Sequence, residues 1–215
     1  MPLKIVCIGD THCQLDKVII PDGDILVHSG DLTYRGTIEE ISKELFELSK
    51  HRARFKSIVF VAGNHDWLFE RNPKMAEQMC KDNGITLLQD SSIIIEGVRF
   101  YGSPYQPEFC NWAFNLPRGK ALKNKWDLIP EDTQVLVSHG PPKGILDVVP
   151  RPKGFHAGCD DLYNRVLELK ELKAHIFGHL HMNHGKIKIG NTEFVNAATC
   201  TEEYNPTYEP ITIEI

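Results

Sequence analysis

Five short apolar runs recur along the chain, and each is rich in β-branched side chains. A strand buried on both faces of a parallel sheet shows such a continuous apolar run, whereas a half-exposed strand alternates. We therefore predict buried strands at five positions along the chain: 3–9, 24–30, 56–63, 133–140 and 174–179.

Helical patterns separate several of these runs. The range 37–51 begins with Thr37 and Glu40 in capping-box spacing, and its apolar residues then recur on one face. The ranges 72–84 and 159–172 show two further helical patterns. Strands that alternate with helices predict a layered α/β sandwich.

Other segments follow different patterns. The ranges 92–104 and 185–199 each turn at a glycine between apolar stretches, which predicts two antiparallel hairpins. The range 103–131 is rich in proline, asparagine and aromatic residues, and we expect a long ordered excursion over the surface. Since no repeat or linker divides the chain, we expect a single domain over 1–215.

Composition narrows the class of protein. The chain is 41% hydrophobic and 25% charged, as in ordinary globular proteins, and its net charge of −5 disfavours a broad nucleic-acid or anionic-membrane surface. No apolar run reaches the roughly 18 residues of a membrane span, and no signal-peptide pattern opens the sequence. Six scattered cysteines without a C-x-x-C pair indicate free thiols, so we expect a cytoplasmic protein.

Polar side chains follow the end of each predicted buried strand. In open α/β sheets ligands bind outside the carboxyl ends of the strands, so these side chains should converge. Asp10 and Asp31 could instead simply cap turns. The convergent set of possible metal ligands is Asp10, His12, Asp31, Asn64, His139, His179 and His181, with His65 beside them.

This set of donors is too large for one metal ion. A single ion takes about four to six ligands, and mixed imidazole and carboxylate sites suit Mn, Fe and Zn. Two ions about 3.5–4 Å apart, bridged by one carboxylate, would use the donors efficiently. The sequence therefore predicts a two-metal hydrolytic site, without fixing which metals occupy it.

The ordered motifs also carry a family resemblance. "GDTH", "SGD", "GNHD", "SHG" and "GHLH" resemble the calcineurin-like metallophosphoesterases over residues 9 to 181. "NWAFNLPRG", "SHGPP" and "NAATCT" are similar to the metallophosphoesterase-domain subgroup, which includes 239-type brain proteins and class III cyclic nucleotide phosphodiesterases. The resemblance implies a four-layer α-β-β-α sandwich of two mixed sheets flanked by helices.

The resemblance also implies roles for individual residues. The bridging ligand would be Asp31, and His65 would stabilise a phosphate oxygen or protonate the leaving alkoxide. Apart from the resemblance, the position of Asp66 next to His65 predicts that it either helps His65 in catalysis by orienting the ring or caps the following segment. The first metal would be held by Asp10, His12 and His181, and the second by Asn64, His139 and His179.

The stretch 111–120 has two interpretations. It is either a structural cover whose aromatic residues pack on the core, or a wall of the substrate cleft. In the second case Arg118 would meet the phosphate and Asn111 would lie among the substrate-binding residues.

The function implied is a dinuclear metal-dependent phosphodiesterase. It would hydrolyse small nucleotides, cyclic nucleotides above all, by attack of a hydroxide that the metals activate. The sequence "GDLTYRG" departs from the pattern of the phosphoprotein phosphatases. A phosphomonoesterase, a nuclease and a nucleotide-binding regulator with little turnover stay open. No stable nucleic-acid complex or membrane contact is expected, and the bacterial relatives leave a homodimer open.

Overall fold

Two β-sheets face each other at the centre of a computed structural model that describes residues 2–150, 152 and 154–215. The helices are α1 (Ile38–Ser49), α2 (Trp67–Arg71), α3 (Pro73–Asp82), α4 (Lys120–Trp126) and α5 (Asp160–Glu168). The strands are β1 (Lys4–Ile8), β2 (Ile25–His28), β3 (Ser57–Phe60), β4 (Thr86–Leu87), β5 (Ser91–Ile95), β6 (Val98–Ser103), β7 (Gln106–Pro107), β8 (Asn115–Leu116), β9 (Val135–Ser138), β10 (Val148–Val149), β11 (Phe155–His156), β12 (Ala174–Phe177), β13 (Gly185–Ile189), β14 (Thr192–Asn196) and β15 (Ile211–Glu214).

Both large sheets are mixed. The first has the order β15-β1-β2-β3-β4, in which only β15 runs antiparallel to its neighbour. The second has the order β13-β14-β12-β9-β6-β5, with parallel strands in the middle and an antiparallel strand at each edge. All five predicted buried strands form, as β1, β2, β3, β9 and β12.

Successive side chains on the central strands enter different layers of the core. On β1, Ile5 and Cys7 face the second sheet, whereas Val6 and Ile8 face the helices outside the first sheet. The outer face of the first sheet is covered by α1 and α3, and that of the second by α4 and α5. This arrangement confirms the predicted α-β-β-α sandwich.

The helix ends follow the predicted capping chemistry in part. The Thr37 side chain accepts a hydrogen bond from the Glu40 backbone nitrogen at 3.2 Å, as in a capping box. The Glu40 carboxylate instead accepts from the Arg35 backbone nitrogen at 2.7 Å, so the box is half formed. Across the residues that the structure describes, no helix is both long and apolar enough to traverse a membrane.

The segment 103–131 is more regular than we predicted. It contains the short β7–β8 ladder and helix α4, whose Leu122 and Trp126 are fully buried. With two buried apolar side chains and three lysines in seven residues, α4 gives too little periodicity to be recognised in the sequence. Both predicted hairpins form, as β5–β6 and β13–β14.

The parallel strands of the two sheets end on the same side of the molecule. Gly9, just after β1, forms a parallel bridge with Ala198, just after β14, so the two sheets are joined at this end. The Thr199 nitrogen also donates to the Gly9 carbonyl at 2.9 Å. Loops from both sheets therefore meet over one small area.

Truncation of Trp126 tests how far the outer helix layer contributes to stability. Trp126→Ala should lower the free energy of unfolding by about 3–5 kcal/mol, since it empties a fully buried site between α4 and α5. Urea denaturation measures the change. Leu128→Ala, at a side chain that is 55% exposed, is the matched control and should stay within about 0.5 kcal/mol of the wild type.

Candidate metal centre

The first group of possible metal ligands joins the loops after β1 and β12. The Nε2 atoms of His12 and His181 lie 3.2 Å apart, and the His181 Nε2 atom lies 3.4 Å from the Asp10 Oδ1 atom. Ligand atoms of Asp10, His12 and His181 all fall within 4.8 Å of one another. This spacing suits three ligands of one ion.

The second group joins the loops after β3, β9 and β12. The His139 Nε2 atom lies 2.8 Å from the Asn64 Oδ1 atom, and ligand atoms of Asp31, His139 and His179 fall within 4.8 Å of one another. Asp31 Oδ2 is 3.4 Å from the His139 Nε2 atom and 3.9 Å from the His12 Nε2 atom. The Asp31 carboxylate therefore lies between the two groups, where a bridging ligand belongs.

Hydrogen bonds to backbone carbonyls fix the imidazole rings. The Nδ1 atom of His12 is 3.3 Å from the Thr33 oxygen, that of His139 is 3.0 Å from the Ser29 oxygen, and that of His181 is 2.9 Å from the Thr201 oxygen. A ring that donates from Nδ1 keeps its Nε2 lone pair for a metal. The facing Nε2 lone pairs of His12 and His181 repel each other unless a cation or a proton lies between them. The donor set therefore fits metal ions.

The backbone is strained at several of these ligands. Asp10, His12, Asp31 and His179 have φ values of 50°, 43°, 53° and 69°, in the left-handed region that L-residues seldom adopt. The His179 nitrogen donates to Asp10 Oδ1 at 2.9 Å, so one ligand fixes the backbone of another. Such strain persists only where surrounding contacts over-determine it.

Two glycines let the loops approach closely. A Cβ atom on Gly63 would collide with the Asp31 carboxylate, and one on Gly178 would collide with the Asp10 carboxylate. The glycine that precedes Asn64 and the glycine that precedes His179 are thus required by packing. This requirement gives the "GNHD" and "GHLH" motifs a steric reason as well as a chemical one.

Burial and charge shift the pKa values of the paired ligands in opposite directions. Burial alone would lower the pKa of His139 and His181, but the carboxylates of Asp31 and Asp10 respectively outweigh it and raise each pKa to about 9. The Asp10 and Asp31 carboxyls are likewise pushed up by burial, yet the neighbouring histidines hold their pKa values below the ordinary range. For His12, burial dominates and lowers the pKa to about 4.

His65 lies beside the two groups with its ring held on two sides. Its Nδ1 atom is 2.8 Å from the Tyr34 oxygen, and its Nε2 atom is 3.9 Å from the Asp31 Oδ2 atom. The Trp112 ring covers one face, with ring centroids 4.1 Å apart and planes tilted by 32°. The free ring edge therefore points toward the centre, where a phosphate oxygen would lie.

Asp66 binds backbone groups. Its fully buried carboxylate accepts hydrogen bonds from the nitrogens of Gly63 at 2.8 Å, Thr33 at 2.9 Å and Leu32 at 3.2 Å, and from the Thr33 hydroxyl at 2.7 Å. Burial, and next the charge of Asp31, raise its pKa to about 6. Asp66 thus ties the loop after β2 to the loop after β3, and these hydrogen bonds give it a positioning role for those loops.

A buried histidine at the end of β2 performs a similar task. His28 Nδ1 accepts from the Gly30 nitrogen at 3.3 Å, and His28 Nε2 is 3.0 Å from the Thr11 hydroxyl. His28 therefore links the loop that carries Asp10 to the loop that carries Asp31. Nothing in the sequence distinguishes this role from simple core packing.

A cavity of about 620 Å³ opens over the metal centre. Arg118 lines it, but its guanidinium donates to the carbonyls of Ala157 and Gly158, both at 2.7 Å. Arg118 therefore clamps two walls of the cavity together with three of its five N–H groups, the third of which donates to Asp160, and its contact with phosphate stays a prediction. Asn111 is exposed and does not line the cavity. Three aromatic residues that no motif in the sequence marks also line the cavity, namely Phe109, Phe155 and Tyr204.

Comparison with known proteins adds independent findings. The family model described as calcineurin-like phosphoesterase matches residues 3–183. Metallophosphoesterase domain-containing protein 1 of Homo sapiens is 38% identical over 234 residues, covering 99% of this chain and 71% of that protein. A UPF0046 protein of Caenorhabditis elegans is 38% identical over 225 residues, covering 99% of this chain and 75% of that protein. The crystal structure of TT1561 of Thermus thermophilus has a TM-score of 0.60 at 13% identity, covers 91% of this chain and 89% of that chain, and thus shares the fold.

The raised pKa values predict how the stability of metal-stripped protein depends on pH. His139 and His181 have pKa values of about 9 in the folded chain, against an ordinary value of 6.5. Between these values the folded chain binds protons that the unfolded chain has lost, so stability falls as pH rises through this window. Each such proton gives a slope of about 1.4 kcal/mol per pH unit, measurable by urea denaturation at stepped pH.

Added Mn²⁺ should remove this alkaline loss, because the metal replaces the bound protons. His139→Gln should shrink the slope in the metal-stripped protein. His184→Gln is the matched control, since burial lowers the pKa of His184 and that residue contributes nothing to this window. A slope of undiminished size in both His139→Gln and His181→Gln would contradict the assignment.

Proposed function

The chain belongs to the calcineurin-like phosphoesterase family, and from that premise we propose that it is a dinuclear metal-dependent phosphodiesterase. Its substrates would be small nucleotides, with cyclic nucleotides as the first candidates. The observation that carries this proposal is the sharing of one buried carboxylate, Asp31, between two groups of histidine and oxygen ligands.

Each group of ligands would hold one divalent ion. Two such ions supply Lewis-acid chemistry: they lower the pKa of a water ligand and neutralise charge on phosphate oxygens. First-row ions such as Mn, Fe and Zn all suit the mixed nitrogen and oxygen donors. The protein contributes fixed ligand positions, since backbone carbonyls orient the rings and glycines permit the close approach.

His65 would handle the proton of the departing group. Its Nδ1 atom is engaged by the Tyr34 carbonyl, so the proton available to a substrate is the one on Nε2, which points toward Asp31 and the centre. An alkoxide is a poor leaving group, so a side chain that protonates it in the transition state accelerates its departure. The indole of Trp112 keeps the ring from rotating out of this position.

The volume and the walls of the cavity suit a small substrate. A volume of about 620 Å³ lies in the range of small-molecule sites, and its walls include Phe109, Trp112 and Phe155. Aromatic walls suit the flat surface of a base. We place the reaction in the cytoplasm, a location supported by six free cysteines.

The proposal predicts metal-dependent turnover of diesters. Metal-stripped protein should be inactive, and Mn²⁺ should restore hydrolysis of bis-p-nitrophenyl phosphate in preference to the monoester, with 2′,3′- and 3′,5′-cAMP assayed in parallel. Preference for the monoester would replace the proposal by a phosphomonoesterase. Two bound metals with no turnover, together with tight mononucleotide binding, would instead indicate a regulator.

Removal of the His65 ring should separate metal binding from turnover. His65→Ala should keep both metals, because the metal ligands retain their own backbone contacts, and should lower kcat for a cyclic nucleotide, whose leaving group is an alkoxide, by about 10²–10⁴. Metal content by mass spectrometry and kcat per bound metal are the two measurements. His51→Ala, at a half-buried histidine after α1 whose ring bonds to Arg54, is the matched control and should behave like the wild type.

Loss of the shared carboxylate should, unlike loss of the His65 ring, remove bound metal. Asp31→Asn should reduce the bound metal to one ion or none and abolish turnover, since an amide is a poor bridging ligand. If Asp31→Asn retained two ions and full kcat, the shared carboxylate could not be the feature that carries the function.

A further inference from the structure

Tyr204 lies at the edge of the first metal group, in a segment that carries no recognised motif. Its ring centroid is 4.7 Å from that of His12 and 5.5 Å from that of His181, both in edge-on contact. The Tyr34 ring lies 5.3 Å away on the same side. Since Tyr204 also lines the cavity, its ring forms the wall next to these two metal ligands.

The backbone of Tyr204 is strained. Its φ of 61° falls in the left-handed region, which is uncommon for large side chains and free of strain only for glycine. The Tyr204 nitrogen donates to the Thr201 carbonyl at 2.9 Å, and the Gln14 side chain donates to the Tyr204 carbonyl at 2.8 Å. These contacts hold the residue in its unfavourable conformation and fix the direction of the ring.

The same turn also orients a metal ligand. The Thr201 carbonyl that accepts from Tyr204 lies 2.9 Å from the His181 Nδ1 atom, so one oxygen fixes both residues. The Thr201 nitrogen donates to the Asn205 carbonyl at 2.8 Å and closes the turn. The ring of Tyr204 therefore has a defined position relative to the metal centre.

We propose that Tyr204 is a specificity-determining residue, whose ring packs against the organic group that stays on phosphorus after cleavage. The inference rests on the proposed function. The leaving oxygen belongs near His65, whose face is covered by Trp112, whereas the Tyr204 ring is closer to His12 and His181 than to His65, from which it is 6.3 Å away. A large residue that is kept in a strained conformation beside a site is typical of a position where the residue serves function at a cost in stability. The retained group that best fits a phenol ring is planar and aromatic.

Two diesters with the same leaving group isolate this contact. Bis-p-nitrophenyl phosphate retains an aryl group after cleavage, whereas ethyl p-nitrophenyl phosphate retains an alkyl group. In Tyr204→Gly the ratio of kcat/KM for the aryl over the alkyl substrate should fall roughly tenfold, as expected for loss of one aromatic contact. The midpoint of thermal unfolding should stay level or rise by about 2–4 °C, because glycine relieves the backbone strain.

Two further variants separate the ring from the backbone. Tyr204→Asn keeps a side chain that tolerates the left-handed region and removes the ring, so the ratio should fall as in Tyr204→Gly. Glu96→Gly is the matched control: Glu96 has a φ of 51° in an exposed hairpin turn far along the chain from the ligands. It should relieve similar strain and leave the ratio unchanged.

An unchanged ratio in both Tyr204 variants would overturn the inference, and a lower unfolding midpoint in Tyr204→Gly would then assign the residue a structural role. If the wild type hydrolysed neither diester, the proposed function would fail separately. Binding to the manganese-loaded protein would then decide: phenyl phosphate should bind more tightly than inorganic phosphate, and Tyr204→Gly should lose that preference. If the wild type and Tyr204→Gly showed the same preference for phenyl phosphate over inorganic phosphate, the inference would be contradicted.

Discussion

The buried carboxylate of Asp31 is the group on which the rest of the site depends. It lies against His12, His65 and His139, and it accepts a hydrogen bond from the His65 backbone nitrogen at 2.8 Å. A charge removed from water is costly unless opposite charges and donors surround it. The loops that meet here satisfy this requirement with nitrogen donors. The same donors are what two metal ions need, so the electrostatics of the folded chain and the chemistry of the site have one origin.

The need for nitrogen donors around Asp31 explains why the site is built from loops of both sheets. Asp31 and Asn64 follow strands of the first sheet, whereas His139 and His179 follow strands of the second. The inner faces of the sheets pack together through residues such as Cys7, which set the separation of the two halves of the centre. Since protein interiors pack at crystal density, the spacing of the ligands is inherited from the core.

Much of the fold and of the ligand set could be predicted from the sequence, because continuous apolar runs and the polar residues that follow them are local features. The buried strands and the four-layer sandwich follow from runs such as 56–63, together with the family resemblance. The contacts of Asp66, His28 and Tyr204 could not be predicted in this way. Each residue makes contacts with backbone groups or rings that are distant in sequence, and a local sequence pattern does not indicate such contacts. The clamp formed by Arg118 was missed for the same reason, since its carbonyl partners lie 39 and 40 residues away.

The pairing of β1 with β15 has a consequence for biosynthesis. Strand β15 hydrogen-bonds along β1, and Leu3 and Ile215 exchange backbone hydrogen bonds at 3.0 and 3.1 Å. Contacts of such high sequence separation form late, after the loop-closure entropy has been overcome. Until β15 has left the ribosome, the first sheet therefore lacks its closing strand, beside the strand that leads to Asp10. The edge of the sheet beside the strand that leads to Asp10 is therefore completed only after all seven possible metal ligands, from Asp10 to His181, have been synthesised.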